Sequence, residues 1–518
     1  MPAPLAALGG IVAAGAALAA GEVPTALAGE RVGLVAAVSN EFIDRFAASL
    51  KDLAVAVFGE HDKTALVAGV VVVSLVLGAT LGVVARRRLV PAAAGFVGFG
   101  VLGLASLATD PSSTLGMAVV SATLAVVAGV GALWWMFGRR SIADAPGHDR
   151  VWGPGDDPTV RAHDRRQFLY ALSVVGAAAS TAGLAGRSVR GRSSIEAERA
   201  ALTLPDPVRS PATIGPQRPI AVPGISPYLT PNDDFFRIDT ALGTPQVEAE
   251  GWRLRIGGMV SEPIELTLDD LLEMDLVEEA VTICCVSNEV GGDLVGNARW
   301  RGVALGDLLD RAGVDPDASQ IVGRSTDGFT VGFPTATALD GRVAMVAVGM
   351  NGEPLPAAHG YPARLIVAGL YGYVSATKWL TEIELTRLED FDAYWVPRGW
   401  SKEAPVKIQS RIDVPRSRSE VDPGRVVIGG VAWAPNVGIG AVEVQIDDEE
   451  WRPAVLADVL SDDTWRQWTY EWEAAPGAHG VRVRAIDSTG ATQTADVEPP
   501  RPDGATGHHT IEVRVRTA

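Results

Sequence analysis

The sequence predicts a multi-domain protein with an N-terminal transmembrane helical bundle, an α+β domain and a C-terminal immunoglobulin-like β-sandwich. Long apolar runs without charges fill the first third of the chain and predict the bundle. Short strand-like and helix-like runs alternate after Trp252 and predict the α+β domain. Evenly spaced runs of alternating apolar and polar residues predict the sandwich. The expected bounds are 1–187 for the bundle, 188–222 for an Arg-, Ser- and Pro-rich linker, 223–405 for the α+β domain and 411–518 for the sandwich.

The composition excludes several kinds of site. A net charge of -18 argues against a nucleic-acid partner, because phosphate binding requires a positive surface. Cys284 and Cys285 are the two cysteines, and adjacent cysteines rarely form a disulfide. Two cysteines are also too few for an iron-sulfur cluster or a tetrahedral thiolate zinc site. We expect no haem either, because C-x-x-C-H is missing and no histidine lies inside a strongly apolar run.

Apolar runs predict the membrane helices. Residues 66–85, 91–108 and 115–137 are each long enough to cross about 30 Å of hydrocarbon. The Ala-rich run 5–20 predicts a further, weaker span, and a buried soluble helix is the alternative for each run. Residues 40–63 carry apolar residues at helical spacing among charges, which predicts an amphipathic helix on the membrane surface or in a loop.

Arginine clusters predict the orientation of the spans. The clusters at 86–88, 139–140 and 161–166 all lie in the cytoplasm by the positive-inside rule. The next apolar run, 168–186, would then cross outward and place the rest of the chain outside the cytoplasmic membrane. Its start, Asp164-Arg165-Arg166-Gln167-Phe168-Leu169, resembles the twin-arginine export signal, with ordinary positive-inside topology as the alternative. No clear A-x-A cleavage site follows, so we expect this run to remain as an anchor.

Four motifs between residues 225 and 390 carry the chemistry. They are Thr230-Pro231-Asn232 with Phe235 and Arg237; Cys285-Val286-Ser287-Asn288; Asn351-Gly352-Glu353-Pro354-Leu355-Pro356 with His359-Gly360-Tyr361-Pro362-Ala363-Arg364; and Lys378-Trp379-Leu380. Together and in this order they resemble the sulfite oxidase family, which shows T-P-N-x-x-F-x-R, C-x-x-N, N-G-E-P-L-P with H-G-[FY]-P-x-R, and K-W-L. The resemblance implies a sulfite-oxidase-like domain that holds one molybdopterin.

The resemblance also implies a role for each motif residue. Molybdenum would be bound by the dithiolene and by Cys285, with Asn288 as a second catalytic residue and Cys284 as a small buried neighbour. A soft thiolate suits a high-valent metal-sulfur centre, whereas two ordinary buried strand cysteines are the alternative. The other residues expected to bind the cofactor are Asn232, Arg237, His359, Arg364, Ser375 and Lys378. Arginine and lysine suit the terminal phosphate, and solvated surface charges are their alternative reading.

Some positions depart from the family pattern. Glu289 follows the C-x-x-N motif where the family has arginines for a dianionic substrate, and Val348 replaces the active-site tyrosine. Ile238-Asp239 stand where the family has Asn-His. A carboxylate would repel sulfite, so an uncharged S-oxide or N-oxide suits this pocket better, unless Glu289 instead faces Arg299 or Arg301.

Two functions therefore compete. The first is a membrane-anchored molybdopterin-dependent oxidoreductase that transfers oxygen atoms to or from a small sulfur or nitrogen compound. It would use a separate electron partner, such as a cytochrome or quinone-linked protein, and could form a homodimer through the C-terminal domain. The second is a cell-surface binding protein on a degenerate, cofactor-free molybdenum fold. Retention of Cys285, His359, Arg364 and Lys378 weighs against the second.

Overall fold

The computed structural model describes residues 2–27, 33–39, 41, 62–109, 113–137, 195–210, 220, 222–241, 243–458 and 461–517. The chain divides into two compact units, Met1–Ser194 and Ile195–Ala518. The predicted span 168–186, its twin-arginine motif and nearly all of the predicted amphipathic helix 40–63 lie outside the described residues.

The first unit contains four long apolar helices among its described residues. They are α1 (Ala3–Leu27), α2 (Asp62–Ala85), α3 (Leu89–Thr109) and α4 (Leu115–Phe137). All four are long and apolar enough to cross a membrane, including the Ala-rich first helix. Helices α1 and α2 approach each other through small residues: a Cβ on Gly10 would lie 2.0 Å from the Gly78 carbonyl oxygen. Such close backbone approach is typical of helix pairs in membranes.

The second unit begins with an α+β domain that contains two sheets. Its helices are α5 (Ile195–Ala201), α6 (Leu268–Leu272), α7 (Leu305–Ala312), α8 (Thr335–Ala338) and α9 (Gly372–Ser375). Its strands are β1 (Leu254–Gly258), β2 (Ile264–Leu266), β3 (Leu276–Cys284), β4 (Val295–Ala304), β5 (Gln320–Ser325), β6 (Thr330–Pro334), β7 (Ala344–Met350), β8 (Glu353–Pro354), β9 (Arg364–Val367) and β10 (Leu380–Thr386). One sheet has the order β2-β1-β10-β5-β6, and the other has β3-β4-β7-β8 with β9 paired to β7.

Part of the predicted linker belongs to this domain. Helix α5 buries Ile195 in a core cluster with strand residues of the second sheet. The Glu198 carboxylate accepts hydrogen bonds from the Tyr361 hydroxyl, at 3.0 Å, and from the Ala249 N–H, at 2.8 Å. The prediction of a linker over 188–222 is therefore wrong for residues 195–210. Low periodicity hid a short helix that is stabilised by distant partners rather than by an apolar stripe.

The C-terminal part is a β-sandwich of two sheets, as the alternating pattern predicts. Its strands are β11 (Gln409–Val414), β12 (Ser419–Val421), β13 (Gly424–Trp433), β14 (Ile439–Ile446), β15 (Arg452–Pro453), β16 (Val455–Leu456), β17 (Arg466–Ala474), β18 (Gly477–Asp487) and β19 (His509–Val515). The sheet orders are β11-β13-β17-β16 and β12-β19-β18-β14-β15. Apolar residues of both sheets share one core cluster.

The sandwich is joined to the α+β domain by a continuous core. Trp433 and Trp465 of the sandwich lie in the same apolar cluster as Cys284. The Thr282 backbone N–H donates to the Asp463 carbonyl at 2.9 Å, and the Thr282 hydroxyl accepts the Trp465 N–H at 2.7 Å. The end of β3, which precedes the motif cysteine, is therefore supported from the sandwich.

Candidate active site

Cys285 opens the loop that connects β3 to β4. Strand β3 ends at Cys284 and β4 begins at Val295, so the motif cysteine lies at a strand end, as predicted. The Cys285 N–H donates to the Leu294 carbonyl at 2.9 Å, which closes the base of the loop. The Cys285 side chain is buried and is not part of a disulfide. Antiparallel pairing of β3 with β4 fixes both ends of this loop.

The structure gives Asn288 a contact within the loop. Its side-chain oxygen accepts the Leu294 N–H at 2.9 Å, and its own N–H donates to the Cys285 carbonyl at 3.0 Å. The second half of the C-x-x-N motif therefore shapes the cysteine loop. The contact supports a positioning role for Asn288, and its catalytic role stays a prediction.

Cys284 has the environment of a protonated thiol. Burial raises the pKa of Cys284 well above that of an ordinary cysteine. Its sulfur lies 3.4 Å from the Cys285 carbonyl oxygen, to which the thiol donates. The Cys284 side chain also belongs to the apolar core cluster that contains Trp433 and Trp465, which favours Cys285 as the metal ligand.

Helix α9 connects the cysteine strand to a second group of motif residues. A Cβ on Gly372, at the start of α9, would lie 3.7 Å from the Cys284 carbonyl oxygen. A Cβ on Gly360 would lie 3.0 Å from the Lys378 Cα and 3.2 Å from the Arg364 Cβ. The segment 372–378 therefore runs from the end of β3 to a cluster that contains Arg364 and Lys378.

Arg364 is a buried cation without a carboxylate partner among the described residues. Its side chain donates to the His359 carbonyl at 3.1 Å, and its guanidinium carbon lies 4.8 Å from the centre of the Trp300 ring. Its Nε is buried and makes no hydrogen bond to any residue that the structure describes. Burial lowers the pKa of Arg364 to about 9, so the guanidinium stays charged at neutral pH. A buried charge with an unused donor is costly unless an anion binds it.

Lys378, in contrast, has a carboxylate partner. Its ammonium lies 2.9 Å from Asp239, which also accepts from the Arg237 Nε at 3.1 Å. Burial lowers the pKa of Lys378 to about 8, and the attraction of Asp239 partly offsets this shift. Arg237 is more open, with 42% of its side chain exposed. Asp239, which the family resemblance did not predict as a site residue, therefore joins two predicted cofactor ligands.

His359 lies beside these cations as a neutral imidazole. Burial, with the nearby Arg364 charge, lowers the pKa of His359 to about 4. Its Nε2 lies 3.0 Å from the Asn232 carbonyl oxygen, so this nitrogen carries the proton and Nδ1 is an acceptor. The Asn232 side chain accepts from Asn351 at 2.8 Å, and Asn351 occupies a turn at a φ of 51°. Asn351 thus organises the entry segment, a role that its place in N-G-E-P-L-P did not reveal.

Ser375 does not offer its hydroxyl to the cluster. The hydroxyl is fully buried and donates to the Tyr371 carbonyl at 3.0 Å, within its own helical turn. Serine often makes such a bond to the preceding turn of a helix. The Ser375 hydroxyl is therefore used within the fold, and a contact from the Ser375 backbone amide to a phosphate stays a prediction.

The arginines near the cysteine loop pair with a different carboxylate than expected. Arg301 Nη2 lies 2.9 Å from Glu278, and Arg299 Nη1 lies 3.9 Å from the same carboxylate. Glu289 is exposed and forms no ion pair among the described residues. The alternative in which Glu289 faces these arginines is therefore wrong. Val348, at the tyrosine position of the family, is 1% exposed and packs in the core.

The cation cluster suits an anionic cofactor. Arg364 has a charge and a free donor, Lys378 and Arg237 add two further cations, and neutral His359 adds an acceptor. Such a set fits a phosphate attached to a heterocycle that donates and accepts hydrogen bonds.

Comparison with known proteins identifies the family. Residues 241–395 match the family described as oxidoreductase molybdopterin binding domain. Mitochondrial sulfite oxidase of Rattus norvegicus is 30% identical over 352 residues, covering 57% of this chain and 63% of the relative. The Homo sapiens enzyme is 28% identical over 356 residues, with 57% and 64% covered. The chain thus spans slightly less than two thirds of the length of these relatives.

A bacterial relative and a solved structure extend the comparison. The uncharacterized oxidoreductase YuiH of Bacillus subtilis is 32% identical over 149 residues, covering 29% of this chain and 72% of the relative. The sulfane dehydrogenase SoxCD from Paracoccus pantotrophus superimposes with a TM-score of 0.49 at 23% identity, covering 56% of this chain and 84% of that one. The sequence relatives and the family match, taken with the motif order, place this chain in the sulfite oxidase family of molybdopterin oxidoreductases.

Proposed function

We propose that the protein is a membrane-anchored, molybdopterin-dependent oxidoreductase that acts on a small sulfur or nitrogen compound. The observation that carries this proposal is the buried guanidinium of Arg364, which has an unused donor and no carboxylate partner among the described residues. A cofactor-free binding protein would have no reason to bury a charge in this way, because burial without compensation destabilises the fold.

Each residue of the cluster has a distinct part in holding the cofactor. Arg364 would bind the terminal phosphate, since it is the cation whose charge no described carboxylate neutralises. Lys378 and Arg237 would line the pterin and retain Asp239 as counter-ion. His359, fixed as the Nε2–H tautomer by the Asn232 carbonyl, would accept a hydrogen bond at Nδ1. Cys285 would ligate molybdenum, while Cys284 keeps its proton.

The bound molybdenum centre would supply two-electron oxygen-atom transfer. The chain would position the metal through Cys285, whose loop is closed by Asn288, and would exclude water through the buried walls of the site. Because His359 is neutral, Arg364 and Lys378 would supply the positive charge that balances the anionic cofactor. The Ser375 hydroxyl donates to its own helical turn and the Val348 side chain packs in the core, so neither side chain would contact substrate.

The substrate we propose is an uncharged S-oxide or N-oxide. The curated relatives are sulfite oxidases, so sulfite is the natural comparison. Exposed Glu289 adds negative charge within the cysteine loop, and Arg299 and Arg301 are paired with Glu278. These features support a neutral substrate over a dianion.

The apolar helices support a membrane anchor. Together with the apolar run at 168–186, they would place the catalytic domain outside the cytoplasmic membrane, after twin-arginine export of the folded chain. A separate cytochrome or quinone-linked protein would exchange electrons with the molybdenum centre. We also propose that the sandwich is an immunoglobulin-like dimerisation domain.

Metal and pterin analysis of the purified full chain tests the proposal. Wild-type protein from a cofactor-competent host should contain about one molybdenum per chain, and Cys285→Ala should lose it. Cys284→Ala is the matched control, since it removes the neighbouring buried thiol and should keep the metal. Absence of molybdenum and pterin from wild-type protein would contradict the proposal and favour the cofactor-free binding protein.

A further inference from the structure

A buried arginine of the sandwich contacts the cysteine loop. Arg411 lies on β11, and its Nη1 donates to the Gly292 carbonyl at 2.7 Å. Its Nε donates to Asp413 and its Nη2 to the Ser226 hydroxyl, each at 2.7 Å. Asp413 also accepts the Ser226 N–H at 2.8 Å. All three nitrogens of the guanidinium therefore have partners, and the side chain is only 10% exposed.

The sandwich makes a second contact with the same loop. Gly291 has a φ of 79°, and a Cβ on it would lie 2.3 Å from the His509 ring. The His509 Nδ1 accepts the Ile412 N–H at 3.0 Å, which fixes the ring beside β11. The imidazole from β19 and the guanidinium from β11 thus hold two consecutive residues of the loop.

Without these contacts the far side of the loop has little support. Its base is closed by the Cys285 N–H to Leu294 and by Asn288. Its tip contains two glycines, and the main-chain bond there runs from the Gly292 N–H to Glu289 at 2.9 Å. Glycines leave the backbone many alternative conformations, so a charge-assisted bond to Gly292 restricts the loop where it is weakest.

We propose that Arg411 is a positioning residue for Cys285, so that the sandwich is a structural part of the active site as well as a dimerisation module. The guanidinium acts through the loop, because it donates to Gly292, seven residues after the cysteine. The proposed effect on the metal depends on the proposed function, whereas the proposed effect on the loop does not.

Hydrogen exchange of the detergent-solubilised full chain tests the loop, and the Mo(V) electron paramagnetic resonance spectrum tests the metal. Arg411→Met should lower protection of the amides in 285–294 by about tenfold, the effect of losing one charge-assisted bond. It should also split or broaden the Mo(V) signal. Arg411→Lys should restore part of the amide protection and part of the wild-type Mo(V) signal. Lysine keeps the charge but lacks the planar guanidinium that donates to all three partners.

The control is Arg425→Met, which removes an arginine of the same sandwich from an exposed pair with Glu471, where the two side chains are 65% and 62% exposed. It should leave exchange and spectrum unchanged. Arg411→Met could unfold because Asp413 loses its partner. In that case the double variant with Asp413→Asn removes the unpaired carboxylate, and the same measurement is made on it. Loop exchange equal to that of the control in a folded Arg411 variant would overturn the proposal. A chain that binds no molybdenum would overturn the proposed function, while the exchange result still decides the role of Arg411.

Discussion

Two arginines of the α+β domain, one half-buried and one buried, differ in what neutralises their charge. Arg301 donates to Glu278 through Nε and Nη2, at 3.2 and 2.9 Å, and its Nη1 donates to the Pro205 carbonyl at 3.0 Å. Arg364 is more deeply buried, yet it contacts a backbone carbonyl and an aromatic face, and its Nε has no hydrogen-bond partner among the described residues. The first arrangement is complete within the fold. The second has no anionic partner in the described part of the chain, which distinguishes a structural charge from one placed for a ligand.

The largest expected effect on stability comes from disrupting the ion pairs of Glu278. Glu278→Gln removes the charge that Arg299 and Arg301 share, and it should lower the free energy of unfolding by about 3 kcal/mol or more. Chemical denaturation followed by tryptophan fluorescence measures this change. Glu471→Gln, in an exposed pair, should change it by less than about 0.5 kcal/mol. Equal effects of the two substitutions would remove the distinction between the two arginine sites.

The next largest effect is a pH dependence of the unfolding free energy, which arises from the cation cluster. The pKa of His359 is lowered to about 4 in the folded protein, so the unfolded chain binds the proton more readily. Stability from this residue is therefore complete above about pH 6.5 and falls as the pH drops toward 4, by on the order of 3 kcal/mol.

His359→Gln keeps a donor for Asn232 but cannot titrate. The difference in unfolding free energy between wild type and variant should therefore change across this pH range, and it should be flat above pH 7. Parallel pH profiles for the two proteins would contradict a buried neutral imidazole.

The smallest effect on stability is expected for a substitution of Arg364. The same substitution should have a large effect on the molybdenum content of the protein. Arg364→Met keeps much of the side-chain volume and removes an uncompensated charge. The cofactor-free chain should unfold within about 1 kcal/mol of wild type or be more stable, while chains made in a cofactor-competent host should lose most of their molybdenum. A destabilisation like that of Glu278→Gln, with molybdenum retained, would show that Arg364 is a structural residue.

Local motifs predicted the parts of this site that lie close together in the chain. Cys285 follows a strand and opens a loop, and His359 and Arg364 meet around Gly360, because these residues are few positions apart. The pattern could not predict the hydrogen bonds of Ser375 and Asn288. A polar side chain often forms a hydrogen bond with a nearby backbone group. The sequence does not show whether it bonds to the backbone or to a ligand.

Contacts between distant segments were missed for a different reason. Arg411 and Ser226 reach one another across 185 residues, and the sequence assigned them to separate parts of the protein. One signal was present: Gln409-Ser410-Arg411 begins a strand with polar side chains, and all of them are buried. A run of polar residues in a strand, where apolar and polar residues would normally alternate, indicates that these side chains have buried hydrogen-bond partners. The fold is needed to identify those partners.

The most direct test of the account is the molybdenum K-edge X-ray absorption spectrum of the purified full chain and of Cys285→Ser. We predict that Cys285→Ser binds less molybdenum than wild type, and that the molybdenum it retains has one sulfur ligand fewer. An unchanged number of sulfur ligands would contradict the assignment of Cys285 as the protein ligand.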